Sequence, residues 1–460
     1  MTNTFKPELL PSTDKIFNTI HDLVSIGPRR TGTPEGKSSA YYVADTFRAL
    51  GITDVRIDEC HSTRWEADHW GLTVGGADVP CFPVTHSFIG ENDIAEFSTG
   101  SDGYTARLVD LDSSPTAEEL TGAIVIFDVH FIGSDVAAEA GHEISTSFPD
   151  GTLPEGKLID PYHTSLPDII PRLVQSGAVG FIAVLADYFD SNRYINEDIG
   201  DIPIPGMWIT RRQANEVRAR LRATPVVEAT LSLHGRREPA TGYSPVAVLP
   251  GRSSESILIH SHHDSVWSGA VEDASGTAVV IALAEYFASI PIQDRARTLI
   301  FASMDTHFTG YEAHQAFVDK YVDHPEDGRE ILIDIAIEHI ARSGRVVDGE
   351  LVTGDESELR LVLHRTGQKV EDLLVKLTSP LDRIMLLPTS FLPTAEMPTD
   401  ADFHYQAGIP VISFISAPIY LYDECDTLDK VDRDQLRPIT GMFAELATEL
   451  LDEPRKHFHP

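Results

Sequence analysis

Cysteine is scarce: the 460 residues hold three, Cys60, Cys81 and Cys425. So small and odd a set excludes a disulfide framework and a thiolate zinc site, and it fits a reducing compartment. Long apolar runs are missing as well; none reaches the roughly 18 residues that cross a bilayer. The opening stretch MTNTFKPELLPSTDKIF has no apolar core of the signal-peptide kind. A soluble, cytoplasmic protein is therefore expected. Positive charge is in short supply, with 36 Lys+Arg against 71 Asp+Glu and a net charge of −35. Such a surface repels nucleic acid and anionic membranes, so neither is an expected partner. Short-period repeats and low-complexity tracts are absent, which excludes solenoids and propellers.

Hydrophobic residues are plentiful, at 42% of the chain. That is more than one small core needs, and it predicts two domains or one large domain with an insertion. Ser12 is placed to cap a helix carrying Ile16, Ile20, Leu23 and Val24. The breaker-rich GPRRTGTPEG follows, and then a helix with Ala40, Val43, Ala44, Phe47 and Leu50 on one face, closed by Gly51. From about Trp65 to Pro239 short β-rich runs such as Ala123–Phe127 and Val179–Val184 alternate with loops, the texture of an inserted module. After Ala240 the pattern becomes α/β. Strands are predicted over Ile257–His260, Thr298–Ser303, Ile331–Ile337 and Val411–Ile415, with a buried helix at Gly276–Ala288 and a last helix starting near Asp432. The fold class expected is α/β, a mostly parallel central sheet flanked by helices.

In such sheets ligands bind beyond the carboxyl ends of the strands. The first strand runs into His260-Ser261-His262-His263-Asp264-Ser265, the second into Asp305-Thr306-His307, and the third into Glu338-His339. The fourth leads to Tyr420, Tyr422, Asp423, Glu424 and Asp426, and Glu272-Asp273 lies between the first strand and its helix. Each piece alone is ordinary. Gathered at one sheet edge, imidazoles and carboxylates are what a divalent ion of borderline hardness requires.

These segments are similar to the co-catalytic zinc aminopeptidase and glutamate-carboxypeptidase family, in the form with an inserted protease-associated domain. LPGRSSESILIHSHHDSVWSGAVEDASG resembles its first metal motif, His-x-Asp and then Gly-Ala-x-Asp-x-Ala-Ser-Gly. FASMDTHFTGYEAH stands where that family has Glu-Glu-x-Gly, and AGIPVISFIS and DTLDKVD resemble its closing segments. ELTGAIVIFD, SGAVGFIAV and IPIPGMWIT resemble the accessory domain. The resemblance implies a discontinuous catalytic domain, residues 1–64 and 240–460, interrupted by a β-rich protease-associated-like domain at 65–239.

The family uses two metals, a bridging Asp and a Glu base. Position by position, the resemblance puts His262 on the first-metal histidine and Asp264 on the residue that orients it. It puts Glu272 on the bridging Asp, with Asp273 as a rival, and Glu338 on the other first-metal carboxylate, with Asp334 the alternative register. His307 falls on the Glu base. Phe308 and Tyr422 fall on the two private ligands of the second metal; Phe cannot ligate, and a phenol with a reference pKa of about 10 is a poor ligand. The expectation is one divalent ion per chain, zinc with manganese or cobalt as alternatives. His307 is expected to act as general base, and Tyr422 as hydrogen-bond donor to the developing oxyanion. His339 and His404 are further candidates for the pocket lining. The expected activity is hydrolysis of an amide bond in a small-molecule or short-peptide substrate, in a chain that can pair as a homodimer. The alternatives are a non-catalytic binding relative and a conventional aminopeptidase.

Overall fold

The computed structural model describes every residue except 1–3, 91–93, 136–144, 148–156, 197–198, 225, 326–327 and 392–395. The chain opens with α1 (Thr13–Ile26) and α2 (Pro34–Ala49). Ser12 caps α1, its hydroxyl accepting from the Lys15 amide at 3.2 Å, a device worth about 1 kcal/mol. α1 buries Ile16, Ile20 and Leu23, and α2 buries Ala40, Val43, Ala44 and Phe47.

Two very long strands come next, β1 (Asp54–Val74) and, far along the chain, β5 (Glu228–Leu249). They pair antiparallel from Asp54 opposite Val248 to Val74 opposite Ala229, with an irregularity between Ala67 and His69. Between them lie the parallel strands β2 (Tyr104–Asp110), β3 (Ile124–Val129) and β4 (Gly180–Leu185), with helices α3 (Leu166–Gln175) and α4 (Arg211–Ala223). Trp65, Ile124, Ile126, Ile182, Val184 and Met207 form an apolar cluster of their own there. The β1–β5 ribbon joins this part to the central sheet without a break, passing through residues 64/65 and 239/240.

The central sheet is built on four adjacent parallel strands: β7 (Thr298–Met304), β6 (Glu255–His262), β8 (Glu330–Ile337) and β11 (Val411–Ser416). β5 pairs antiparallel on the β7 side. Beyond β11 come β9 (Arg360–Arg365), antiparallel to it, and β10 (Ile384–Pro388), parallel to β9. Neither β9 nor β10 is evident in the sequence pattern. The predicted helix at Gly276–Ala288 is α5, buried nearly all round; α7 (Gln368–Thr378) and the terminal α9 (Arg433–Asp452) complete that layer. α6 (Glu312–Val318) and the short α8 (Asp402–Gln406) lie on the opposite face. No described helix is long and apolar enough to cross a membrane.

Strand alternation positions the site. Ile257, Ile259, Ile333, Ile335 and Ile337 enter the core shared with α1, α5 and α9. Leu258 and Ala336 enter the clusters on the other face. With period two, His260 and His262 on β6 lie on the Leu258 side, and Asp334 on β8 lies on the Ala336 side. The register sets His260 opposite Ala336, so both strands deliver polar side chains to one face at one edge.

Candidate metal centre at the strand ends

Glu272 is the hub. It sits in the irregular turn Ala270–Ser275 that precedes α5, and only 2% of it is exposed. His262 Nε2 lies 3.2 Å from Glu272 Oε1, His339 Nε2 lies 2.5 Å from Oε2, and His307 Nε2 lies 3.6 Å from Oε1. Three imidazoles therefore present the same ring nitrogen to one carboxylate.

The opposite nitrogens explain why. His262 Nδ1 faces the Asp264 carboxylate and carbonyl at 3.2 Å. His339 Nδ1 faces the Ser416 carbonyl at 2.7 Å, and His307 Nδ1 faces Asp400 Oδ1 at 3.0 Å. Those partners are acceptors, so each Nδ1 carries the hydrogen and each neutral ring keeps its lone pair on Nε2. Locking ring and tautomer in this way is what supporting carboxylates and carbonyls do for metal-binding histidines. The His262 and His307 rings also stack, centroids 4.0 Å apart.

A divalent ion fits this donor set. His262 Nε2, His339 Nε2 and both Glu272 oxygens are buried without a hydrogen-bond partner. The ligand atoms of His262, Glu272 and His339 lie within 4.8 Å of one another. Two imidazoles and one carboxylate are ordinary ligands for zinc. Without an ion, protons must supply the positive charge. Burial opposes charging His339, but the adjoining Glu272 carboxylate raises it to about 9. His262 is raised well above its ordinary range against burial and the neighbouring His307, through Asp264 and Glu272. Glu272 is held well below the usual carboxylate range despite burial, by His339 and His262.

Two of the expected ligands, Asp273 and Glu338, stand outside the His262–Glu272–His339 grouping. Asp273 is turned away from the three imidazoles. One of its oxygens accepts the Gly276 and His339 amides at 3.0 and 3.1 Å, and the other takes the Ser261 hydroxyl. Burial pushes its carboxyl up to about 6. Glu338 stands beside Asp400, with the Asp400 amide 3.4 Å from its Oε1, and takes no part in the His262–Glu272–His339 grouping. Burial and the Asp400 carboxylate push Glu338 up to about 8, so it holds a proton near neutrality. The grouping takes in His339 instead, which leaves β8 with φ +56°. That left-handed turn is unusual for a non-glycine residue and falls outside strand alternation.

Asp264, His307 and Tyr422 do gather around the centre. Tyr422 and Phe308 share one wall, ring centroids 6.2 Å apart, with Phe308 the same distance from His262. With Ile195, Trp267 and Glu272 they line a pocket of about 10 Å³, room for about one water. His404 is not in that pocket; it is fully buried against Asp334, 3.1 Å away, on the deeper part of the same face.

Two supporting residues, Asp400 and Arg29, escaped the sequence reading, and a third, Asp426, was named there without its role. Asp400 bridges His307 and His314, whose Nε2 lies 3.3 Å from its second oxygen. Despite burial, His314 and His307 keep the Asp400 carboxyl well below its usual range. Asp426 accepts the Val271 and Glu272 amides at 2.9 Å and so pins the turn that carries Glu272. Arg29, from the GPRR stretch, is fully buried and donates to the carbonyls of His263, Ser268 and Gly269 at 2.7–2.8 Å. Asp400 and Arg29 lie in loops, where periodicity gives no signal. Asp426 stood among the acids after the fourth strand with nothing to mark its partner.

Asp400 supplies one testable consequence. An Asp400→Asn protein keeps the side-chain shape but can offer His307 a donor in place of an acceptor. It is expected to fold and to lose about 10- to 100-fold in kcat, the usual cost of removing a residue that orients a reacting or ligating histidine. Unchanged kcat, at unchanged metal content, would remove Asp400 from that role.

Comparison with known proteins adds the following. Residues 245–447 match the family model described as peptidase family M28. No curated protein matches the chain. The fold resembles the zinc aminopeptidase BSAP from Bacillus subtilis, with 18% identity, TM-score 0.67 and 98% of both chains covered. It also resembles a peptidase M28 precursor from Shewanella amazonensis SB2B, with 18% identity, TM-score 0.71 and 97% and 95% coverage of this chain and that one. An aminopeptidase from Aneurinibacillus sp. strain AM-1 gives 19% identity, TM-score 0.64 and 96% and 95% coverage. At these identities the likeness speaks for the fold.

Proposed function

We propose, from the match of residues 245–447 to the model of peptidase family M28, that the chain is a metal-dependent hydrolase of amide bonds. Its substrate is a short peptide or small molecule, and one divalent ion of zinc character is held by His262, Glu272 and His339, with His307 as general base. The observation that carries this reading is the convergence of three Nε2 atoms on Glu272, each ring fixed from behind. Zinc accords with the Bacillus subtilis neighbour, a zinc aminopeptidase.

When bound, such an ion supplies Lewis acidity, lowering the pKa of a water toward about 7 and polarising the scissile carbonyl. The protein does the rest. Asp400 holds the hydrogen of His307 on Nδ1, which leaves Nε2 as the basic nitrogen. His307 Nε2 takes the proton of the attacking water and returns it to the leaving nitrogen. An imidazole is the side chain whose reference pKa, about 6.5, suits both transfers near neutrality. The phenol of Tyr422 donates to the oxygen that gains negative charge. Phe308, Trp267 and Ile195 limit bulk water at the centre.

One observation favours a second reading. With about 10 Å³ beside Glu272, the pocket admits a peptide only after its walls move. So narrow a centre serves equally as an ion-bound binding module without turnover. Metal analysis combined with a panel of aminoacyl amides and N-acyl amides separates the readings. Bound metal with turnover of either amide class supports the hydrolase, and preference for a free α-amino group identifies an aminopeptidase. Bound metal with no turnover of any amide supports the binding module.

Metal affinity is also expected to depend on pH in a definite direction. His339 must shed a proton before it can ligate, and in the metal-free protein it keeps that proton up to about pH 9. Apparent affinity should therefore climb as pH rises from 6.5 through about 9, and His262, raised in the same direction, adds to the climb. The raised pKa also stabilises the metal-free fold. That contribution is fully present below about pH 6.5 and is lost as pH rises through about 9. Titration calorimetry across this range checks the first statement, and melting curves with chelator check the second. Affinity independent of pH would contradict the assignment of His339.

A further inference from the structure

A second polar cluster lies one layer deeper on the same sheet face. His260 belongs to β6, Asp334 to β8 and His404 to α8, and all three are fully buried. His260 Nε2 lies 3.1 Å from Asp334 Oδ1, and His404 Nδ1 lies 3.1 Å from Asp334 Oδ2. The His260 and His404 rings meet edge to face, centroids 5.1 Å apart. The three ligand atoms lie within 4.8 Å of one another.

Hydrogen bonding satisfies only part of this cluster: His260 Nε2 pairs with Asp334 Oδ2 at 3.2 Å, and the remaining atoms are left over. Neither ring nitrogen of His404 has a hydrogen-bond partner, and neither does Asp334 Oδ1. The 3.1 Å approach of His404 to Asp334 is thus close without being aligned as a hydrogen bond. Buried polar atoms almost always find partners, and a group of orphans converging on one point calls for an explanation such as a missing ion. The spacing suits one: ligands held at 2.0–2.1 Å by a tetrahedral cation stand about 3.3 Å apart. Two imidazoles and a carboxylate again select a borderline divalent cation over magnesium or calcium, which prefer all-oxygen sites.

We propose that His260 Nε2, Asp334 and His404 Nδ1 form a second divalent-cation site of zinc type, buried beneath the first. With no exposed ligand it is a structural site. It ties α8 to β6 and β8, and so fixes the segment before β11 that carries Asp400 and, through it, His307. The site stands apart from the proposed hydrolysis and does not require it.

Metal counting on the full chain tests the proposal. The protein is stripped with chelator, reloaded with zinc or cobalt, freed of excess metal and assayed by mass spectrometry. The wild type is expected to hold two ions, and His404→Ala and His339→Ala one each. A wild type with one ion that His404→Ala retains would overturn the deeper site and leave the first intact. One ion lost in His404→Ala but kept in His339→Ala would support the deeper site and overturn the first. No ion in the wild type would overturn both. Should His404→Ala fail to fold, the His339→Ala protein decides: one bound ion supports the deeper site, and none overturns it.

Discussion

A Glu272→Gln protein should lose the ion at the strand edge and its turnover together. The exchange preserves length and volume, so packing around the Ala270–Ser275 turn changes little. What changes is charge and donor character. The carboxylate is the one anion that His262, His307 and His339 share, at 3.2, 3.6 and 2.5 Å. A carboxamide brings N–H groups to that position and no negative charge. Supporting residues behind a ligand cost 10- to 100-fold in metal affinity when removed, so loss of the ligand itself should exceed about 100-fold. His339 should also fall from about 9 toward its ordinary value, since Glu272 is what raises it against burial. Metal content, turnover and the His339 titration followed by NMR check the three parts. A Glu272→Gln enzyme that binds metal and works normally would show that Glu272 is not the hub.

The second large effect is expected at His307. A His307→Ala protein should remain folded and metal-loaded while kcat falls by roughly 10²- to 10⁴-fold, the range for loss of a general base. Two features separate this from a purely structural role. Its Nδ1 is taken by Asp400, so the pH–rate profile should lose the limb that titrates the base. Its ring stacks on His262 at 4.0 Å, so in the chelator-stripped protein removing it should raise the His262 pKa further, because His307 lowers it there. Loss of bound metal in step with loss of rate would instead make His307 a ligand.

The contrast between what was legible and what was not has physical causes. The four parallel strands announce themselves as short apolar runs ending in polar clusters, and α5 as a run apolar nearly all round; each appears within two residues of its expected ends at Gly276–Ala288, Thr298–Met304, Glu330–Ile337, Val411–Ser416 and Glu255–His262. β9 is short and mixes Arg360, His364 and Arg365 with its apolar residues, while β10 is an apolar run of only four residues, Ile384–Leu387, with no polar cluster at its end to single it out. At the centre, His262 and Asp264 follow from one strand end, since two residues on one short stretch can reach each other. The choice between Glu272 and Asp273 rests on the irregular turn before α5, which no periodicity describes. The choice between Glu338 and His339 rests on a single residue entering the left-handed region. Asp400 comes from a loop with no pattern at all, although it supports the residue expected to do the acid–base work.

The most direct test is a crystal structure of the metal-loaded protein with anomalous data collected at the zinc absorption edge. A peak bonded to His262 Nε2, His339 Nε2 and Glu272, with His307 Nε2 facing a bound water, is the predicted result. An empty centre at full zinc occupancy elsewhere, or an ion held by Asp273 and Glu338 in place of Glu272 and His339, would contradict it.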